Sequence, residues 1–301
     1  MKITTLDEIT QKLKKTKKKL VVAGGNTSTV MQSVAKGVTE GIIEATLVGD
    51  KDEIIKLSDK YEIDSQTWNV IDEKDPVKVA SKSVEIVRTD NADILMKGCI
   101  SSANYLHAIL NKEHGLVING NLLTHVAIAQ LPKYHKLLII SDAAIIVQPD
   151  LAQKIAMLKF CVTLANKLGI SKPKAGIISC VEVPSFKIDS TIDASIIKKM
   201  VKRGQIKGVE VDGPLALDLA ISKKCADDKK FESPVAGDCD ILIFPNICAG
   251  NVFFKTVTNL AEARLAAIVM GASVPCILTS RSDTEESKFL SIALAALLSE
   301  R

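Results

Sequence analysis

Short apolar runs alternate along this chain with longer segments in which apolar residues recur every three or four positions. The short runs predict β-strands, and because most are uninterrupted rather than alternating, both faces of the sheets should be covered. The longer segments predict α-helices that pack by one face. Strands and helices in alternation predict an α/β protein with largely parallel sheets.

The predicted elements follow one another without a short repeat or a low-complexity linker. Strands are predicted at 19–23, 45–49, 69–71, 94–97, 125–129, 137–141, 175–181, 208–211, 241–245 and 276–279. Helices are predicted at 77–88, 103–111, 151–168, 192–202, 215–224, 252–270 and 287–299.

The length and apolar content of the chain suggest more than one core. A chain of 301 residues with 47% apolar content can bury a large interior, and its length suggests about two domains. We place the boundaries in the turn at 132–136, which carries proline and lysine, and near Pro275. Domain I then comprises 1–134 plus 276–301, and domain II comprises 135–275. The end of the last strand would face the cleft between them, and such clefts are preferred ligand sites.

Composition excludes several classes of protein. No apolar stretch approaches the roughly 18 residues of a membrane-spanning helix, and the N-terminus lacks an apolar leader, so we predict a cytoplasmic protein without a membrane partner. Seven cysteines without CxxC spacing lie mostly in apolar runs, which predicts reduced core residues and no metal site. The lysine-rich run at 12–19 is interpreted as a solvated helix face. No nucleic-acid partner is expected, because no aromatic residue lies there to stack on bases.

Polar residues at the carboxyl ends of the predicted strands are the candidates for chemistry, because ligands of open α/β sheets collect at those ends. The glycine-rich segment at 24–28 lacks both the dinucleotide fingerprint and the lysine of a P-loop, so it is a weak signal. No G-x-S-x-G elbow is present, which disfavours a serine hydrolase. The remaining candidates are Lys97, Gly98, Ser101, Ser102, Ser141, Asp142, Glu182, Asp212, Gly250, Asn251 and Lys255.

The segment at 277–286 is the most informative of these strand ends. Apolar residues give way to Ser280 and Arg281 and then to carboxylates, just before the last predicted helix. A helix N-terminus favours anions, and a guanidinium matches phosphate or carboxylate oxygens, so the pattern indicates a phosphate-handling site. The alternative is a capping box, from Ser282 to Glu285 or from Asp283 to Glu286, that only starts the helix.

A second pair stands at the start of a helix after the strand at 241–245. Asn251 and Lys255 lie four residues apart, on one face of that helix, directly after Gly250. An amide and an ammonium placed there can both reach an anion or a carbonyl oxygen. The alternative is a solvated first turn without a ligand.

Taken together, several strings resemble the phosphate acyltransferases, and most of all the phosphate butyryltransferases. They are ADILMKG at 92–98, THVAIA at 124–129, RGQIKGVEVDGPLALD at 203–218, AGNVFFK at 249–255 and LTSRSDTEESKFLSIALAAL at 278–297. The resemblance implies reversible acyl transfer between coenzyme A and inorganic phosphate, with coenzyme A as a substrate and no cofactor or metal. It also implies two α/β domains in an isocitrate/isopropylmalate dehydrogenase-like architecture, and assembly as a homo-oligomer.

The resemblance also implies roles for the residues already named. Arg281 should hold phosphate, while Ser280 donates to the developing oxyanion. In the acetyltransferases an aspartate six residues after this arginine is the base for the thiol of coenzyme A, but that position is Ser287 here. Asp283 and Glu286 are the nearest carboxylates, and either is a candidate base. Asn251 and Lys255 match the family's glycine–asparagine–lysine run and are expected to contact substrate.

One departure from the family leaves two hypotheses open. Butyryltransferases commonly carry an arginine and a lysine in the segment that corresponds to 117–121, and this chain has neither there. The first hypothesis is an active acyltransferase that attacks the acyl carbonyl directly. The second is a catalytically weakened paralogue that binds coenzyme A or acyl phosphate as a regulatory protein. We favour the enzyme, because Ser280, Arg281, Asn251 and Lys255 are all retained.

Overall fold

The computed structural model describes residues 2–90, 92–117, 121–280 and 283–300. The chain divides into two compact units. The terminal unit comprises Leu6–Leu123 and Ala266–Arg301, and the central unit comprises Met1–Thr5 and Thr124–Leu265. The start of the chain belongs to the central unit, since the Ile3 backbone N–H donates to the Leu168 carbonyl at 2.8 Å.

Within the described residues the strands, in chain order, are β1 Lys18–Ala23, β2 Ile43–Gly49, β3 Trp68–Asp72, β4 Ile94–Lys97, β5 Thr124–Gln130, β6 Leu138–Ser141, β7 Lys174–Ile178, β8 Glu210–Leu215, β9 Ile241–Ile243, β10 Arg264–Met270 and β11 Cys276–Ile277. The α-helices are α1 Leu6–Lys12, α2 Ser28–Thr39, α3 Lys51–Lys60, α4 Pro76–Thr89, α5 Ser102–Leu110, α6 Leu151–Lys167, α7 Asp189–Lys202, α8 Leu217–Ile221, α9 Lys223–Asp228, α10 Ile247–Leu260 and α11 Glu285–Leu298.

In the terminal unit the strands lie in the order β3-β2-β1-β4-β11-β10. All neighbours in this order are parallel except β10 and β11. The chain runs outward from β1 through β2 to β3, and then returns to place β4 on the other side of β1. The sheet therefore has a topological switch point between β1 and β4, which is where open α/β sheets bind ligands.

In the central unit the order is β5-β6-β9-β7-β8. β6, β9, β7 and β8 are parallel, and β5 is an antiparallel edge paired with β6. The predicted α/β class with largely parallel sheets is confirmed. Strands buried along their whole length, such as β4 and β6, explain why the apolar runs were uninterrupted.

The compact units break at different points from the expected domain boundaries. The turn at 132–136 connects β5 to β6, and these two strands pair directly, with Ala129 opposite Leu138. A hairpin of this kind keeps both strands in one unit, so the chain changes unit before β5, at Leu123 and Thr124. The return falls at Leu265 and Ala266, within β10, rather than near Pro275.

Three predicted elements are wrong. The helix expected at 252–270 ends at Leu260, where Glu262 takes a positive φ of 52°, and the chain re-enters a sheet as β10. The helix at 215–224 is divided by Ser222, which caps α9. The lysine-rich run at 12–19 is not a helix face, because α1 ends at Lys12 and two positive φ angles, at Lys15 and Lys17, precede β1.

The last helix is the most buried helix near the switch point. Every residue of α11 from Lys288 to Leu297 is buried, and the helix packs against α2. A helix that is buried on all sides must lie inside a core. Lys288, at the end of the first turn, is the first residue of this buried stretch, whereas Glu286 is exposed.

Candidate active site

A cavity of about 290 Å³ lies at the switch point of the terminal unit. It is lined by the turn after β1, the end of β4 and the segment after β11. The described lining residues are Thr27, Thr29, Val30, Lys97, Gly98, Cys99, Thr279, Ser280 and Lys288. Larger cavities of about 610 and 590 Å³ lie elsewhere on this unit, along α4 and at the amino ends of β4 and β11, where strand-end chemistry is not expected.

The turn after β1 is drawn against the end of β4 by glycine. The Gly98 N–H donates to the Ala23 carbonyl and the Cys99 N–H to the Gly24 carbonyl, each at 2.8 Å. A Cβ atom at Gly98 would lie 1.8 Å from the Gly24 oxygen, so only glycine permits this approach. The predicted residue Gly98 thus closes the floor of the cavity by its lack of a side chain.

The first turn of α2 opens on the same cavity. Thr27 is the N-cap residue, and its side chain makes no capping hydrogen bond. The first N–H groups of an α-helix have no partner within the helix and carry a partial positive charge. The segment at 24–28, which was a weak signal in the sequence, therefore leads into a helix start that faces the cavity.

Two buried lysines give this cavity its charge. Lys97, at the end of β4, is 4% exposed, and its Nζ donates to the carbonyls of Gly98 at 3.1 Å and Ile100 at 3.2 Å. Lys288, in the first turn of α11, is 2% exposed, and its Nζ donates to the Asp283 carbonyl. Burial lowers the pKa of Lys288, and the charge of Asp283 opposes that shift only in part. No carboxylate is among the described lining residues.

Ser280 is placed at the mouth of the cavity by Asp283. The backbone N–H of Ser280 donates to the Asp283 carboxylate at 2.7 Å, and the Asp283 N–H donates back to the Ser280 carbonyl at 3.2 Å. This reciprocal pair holds the strand end beside the first turn of α11. Arg281 and Ser282 lie outside the described residues, so the structure gives no position for the predicted phosphate ligand.

The capping-box alternative does not describe the start of α11. Thr284 is the N-cap, and its hydroxyl accepts from the Ser287 N–H at 3.1 Å. Asp283 instead holds the Ser280 backbone, and Glu286 is an exposed residue of the first turn that does not line the cavity. Of the two predicted bases, Asp283 therefore lies next to Ser280, and Glu286 lies outside the described lining.

Ser101 and Ser102 have a structural role. The Ser101 hydroxyl accepts from the Asn104 N–H at 3.1 Å and caps α5, and Ser102 is the first residue of that helix. Neither is among the described residues that line the cavity. Serine is favoured at N-caps for this hydrogen bond, which explains their position after a strand without a ligand.

In the central unit, the polar residues after β6 and β9 meet at the start of α10. Both Asp142 oxygens are satisfied by protein: one accepts from the Thr124 hydroxyl and the His125 N–H, and the other from the N–H groups of Ala144 and Ile145. These four bonds measure 2.7 to 2.8 Å. Asp142 therefore shapes the segment after β6 and has no accepting position left for a substrate donor.

Gly250 and Asn251 lock α10 onto that segment. A Cβ atom at Gly250 would lie 2.1 Å from the Asp142 carbonyl oxygen, and the Asn251 amide donates to the Ala143 carbonyl at 3.0 Å. Lys255, one turn later, is exposed with its Nζ 5.4 Å from the Phe254 ring centre. The Phe254 ring is also edge-on to the His125 ring, at a centroid distance of 5.7 Å. The ammonium group of Lys255 is thus open to solvent, whereas the Asn251 amide is bonded to the backbone.

Asp212, also predicted to bind substrate, is buried and committed to the protein. Its carboxylate pairs with the Lys198 Nζ of α7 and accepts from the Gly213 N–H at 2.7 Å. A buried carboxylate requires such partners, so this pair is explained by packing alone. Among the described residues, no group of histidine, cysteine, aspartate and glutamate side chains is arranged to hold a metal ion.

Lys288 and Cys99 line the cavity but were not predicted from the sequence, whereas Thr27 belongs to the weakly indicated segment at 24–28. The only signal for Lys288 was its place as the single cation in the long apolar face of the last helix. The Cys99 thiol donates to the Asn26 amide oxygen at 2.6 Å. Burial raises the pKa of this thiol, so Cys99 lines the cavity in its protonated form.

Comparison with known proteins identifies the family of the chain. The family model described as "Phosphate acetyl/butaryl transferase" matches residues 4–81 and 74–296. A phosphate butyryltransferase of Clostridium acetobutylicum is 42% identical over 297 residues, which cover 98% of each chain.

Solved structures share the fold. A branched-chain phosphotransacylase from Enterococcus faecalis superposes with a TM-score of 0.82 at 31% identity, covering 94% of this chain and 99% of the other. A 4-hydroxythreonine-4-phosphate dehydrogenase from Klebsiella pneumoniae superposes with a TM-score of 0.57 at 13% identity, covering 94% and 100%, which supports the predicted dehydrogenase-like architecture as a fold alone. The chain belongs to the phosphate acetyl/butyryl transferase family.

Proposed function

We propose that this protein catalyses the reversible reaction of an acyl-CoA with inorganic phosphate, which gives an acyl phosphate and free coenzyme A. The observation that carries this proposal is the cavity at the switch point, where two buried lysines and the start of α2 surround a volume of about 290 Å³ beside Ser280. A cavity of this size suits a phosphate with a short acyl group and is too small for a whole coenzyme A molecule.

In this proposal the buried cations and the start of α2 hold the phosphate group. Lys97 is a fixed charge, because two carbonyls orient its Nζ. Ser280 donates its hydroxyl to the oxyanion that forms on the acyl carbonyl, and Arg281 is assigned to phosphate from the sequence pattern. In the central unit, Lys255 and Asn251 are assigned to the phosphates or amides of coenzyme A, with Asn251 also fixing α10.

A direct assay tests the proposal. Thiol release from butyryl-CoA should depend strictly on added phosphate, and acetyl-, propionyl- and branched-chain acyl-CoA thioesters should show which acyl group the cavity accepts. Binding of coenzyme A without phosphate-dependent release would contradict the enzyme and support the binding protein instead. No feature of the described residues favours that second hypothesis.

We also propose that the protein acts in the cytoplasm as a homo-oligomer. All seven cysteines are free thiols, which suits a reducing compartment, and no helix in the described chain is long and apolar enough to cross a membrane.

Exposed apolar side chains of the central unit support assembly: Phe186 is 94% exposed and Val183 is 70% exposed. Light scattering of the purified protein measures the oligomeric state, and a monomer at micromolar concentration would contradict it.

A further inference from the structure

The proposed reaction needs a proton acceptor that the site has not yet supplied. When coenzyme A attacks an acyl phosphate, its thiol must lose a proton, and a free thiol has a pKa near about 8.5. The acceptor must be next to the place where sulfur, carbonyl carbon and phosphate meet. This inference rests on the proposed function and identifies the group that completes it.

Most of the titratable groups around the cavity are unsuited to this step. The Cys99 thiol keeps its own proton, because burial raises its pKa. The Lys97 Nζ is held as a donor by the carbonyls of Gly98 and Ile100. Neither Asp283 nor Glu286 is among the described residues that line the cavity, and Glu286 is exposed.

Lys288 differs from these groups in position and in surroundings. It lines the cavity together with Ser280, and its Nζ donates to the carbonyl of Asp283. The residue is 2% exposed, and the residues that follow it in α11 are buried as far as Leu297. A lysine buried in this way holds its proton less firmly than a solvated one, and the direction of its pKa shift agrees.

The charges that face Lys288 come from three directions. Asp283 precedes α11, Lys97 and Cys99 lie at and after the end of β4, and on α2 the Lys36 Nζ lies 4.4 Å from the Phe289 ring centre, beside the same helix. Of these groups, Asp283 is the one whose charge raises the pKa of Lys288 against the effect of burial, and Lys97 lines the same cavity.

We propose that the Lys288 amine accepts the proton of the coenzyme A thiol and then stands as a cation beside the departing phosphate. The S–H bond breaks and an N–H bond forms, while the sulfur electron pair forms the C–S bond. The C–O bond to phosphate breaks, and its electron pair leaves on the phosphate oxygen. Lys288 returns its proton to phosphate or water, and in the opposite direction the ammonium protonates the thiolate that leaves.

Two substitutions separate a proton acceptor from a plain cation. Lys288→Arg keeps a positive charge but cannot accept a proton, because a guanidinium group stays protonated in proteins. Lys288→Ala removes the amine and leaves room for a small amine from solution. We expect both to lower kcat for coenzyme A plus acyl phosphate by about 10²- to 10⁴-fold. Methylamine and ethylamine should restore part of the activity of Lys288→Ala, at rates that rise with the concentration of the neutral amine. Lys36→Met, which removes a cation beside the same helix but outside the cavity, is the control and should stay near the wild-type rate.

The pH profile gives a second test. In the wild-type protein kcat/KM for coenzyme A should rise with pH as the buried amine loses its proton, whereas in Lys288→Arg only the rise caused by ionisation of the thiol itself, near about pH 8.5, should remain. Wild-type-like kcat in Lys288→Arg, or no rescue of Lys288→Ala by any amine, would overturn the assignment and leave the acyltransferase intact. Absence of phosphate-dependent turnover in the wild-type protein would overturn the proposed function and this assignment together.

Discussion

Single side chains decide the electrostatics of the cavity in the terminal unit. Burying a lysine costs free energy unless a partner compensates, and Lys97 and Lys288 are both almost fully buried within one small cavity. Backbone carbonyls accept hydrogen bonds from both ammonium groups. Two buried lysines and a helix start, with no carboxylate among the described lining residues, favour an anionic ligand, which is the physical reason for assigning phosphate to this cavity.

Ser280→Ala tests the role of one hydroxyl at this scale. If Ser280 donates to the oxyanion, the substitution should lower kcat by about 10²- to 10³-fold with a small effect on KM for phosphate. The Ser280 backbone N–H that binds Asp283 is kept, so the strand end should stay beside α11. Ser81→Ala, which removes an exposed hydroxyl from α4, serves as the control. Equal kcat in the two variants would show that the Ser280 hydroxyl is not part of the mechanism.

The residues of the site were only partly predictable from sequence. Lys97, Gly98 and Ser280 follow apolar strands, so their place at a sheet edge could be inferred, and all three line the cavity. Lys288 could not, because a lysine in the first turn of a helix is normally solvated, and its burial depends on the packing of α11 against α2, α1 and β11. Asp142 looked like a ligand residue, but its four protein donors come from β5 and from the segment after β6, and local sequence does not show them.

At the scale of elements, the start of α10 depends on a backbone contact. Gly250 lets the first turn of α10 lie directly on the Asp142 carbonyl, and Asn251 bonds the next carbonyl along. The carboxylate of Asp142 holds the same segment from its other side. Asn251 and Lys255 are therefore positioned by close packing between a helix and a strand end.

Gly250→Ala should break this arrangement. The added methyl would lie 2.1 Å from a backbone oxygen, so we expect the free energy of unfolding to fall by about 1–3 kcal/mol or more. The matched control is Gly37→Ala in α2, where the new methyl meets side-chain atoms of Ile43 at 3.0 Å and of Ile292 at 3.7 Å rather than backbone, and helix propensity improves by up to about 1 kcal/mol. Urea denaturation measures both. A Gly250→Ala protein as stable as the Gly37→Ala protein would show that α10 can shift without cost.

Element type was predictable where the period was clear and failed where it was not. β10 was taken for the end of a helix, because its buried residues form one continuous apolar run, and such a run fits a strand and a buried helix equally. The positive φ at Glu262 that ends the helical segment carries no glycine to mark it. The helix starts at Asp75 and Asp150 show the opposite case, where an N-cap aspartate fixes the boundary.

At the scale of the molecule, resolved shifts of the carboxylates point in one direction. Burial alone would raise the pKa of Asp238, but hydrogen bonds from Lys136, Lys174 and His135 outweigh it and hold that pKa well below the usual range. These bonds join the starts of β6 and β7 to the residues before β9. The pKa of Asp218 is lowered by its hydrogen bond from Lys229, and the pKa of Asp75 by the N–H groups of Lys78 and Val77.

These shifts predict that acid destabilises the protein. A carboxyl group with a pKa lower in the folded than in the unfolded state contributes stability that is complete above the unfolded pKa of about 4 and is lost as the pH falls toward the folded pKa. The free energy of unfolding in urea should therefore be nearly constant from pH 7 to 5 and should fall between pH 5 and 2. Because the Asp238 side chain is 39% exposed, solvent screens its bonds, and Asp238→Asn should reduce this slope by part and not by all of it. An acid slope that is the same in wild type and Asp238→Asn would show that the bonds from Lys136, Lys174 and His135 to Asp238 contribute nothing to it. A free energy of unfolding that rises on acidification would contradict the lowered pKa values of Asp238, Asp218 and Asp75.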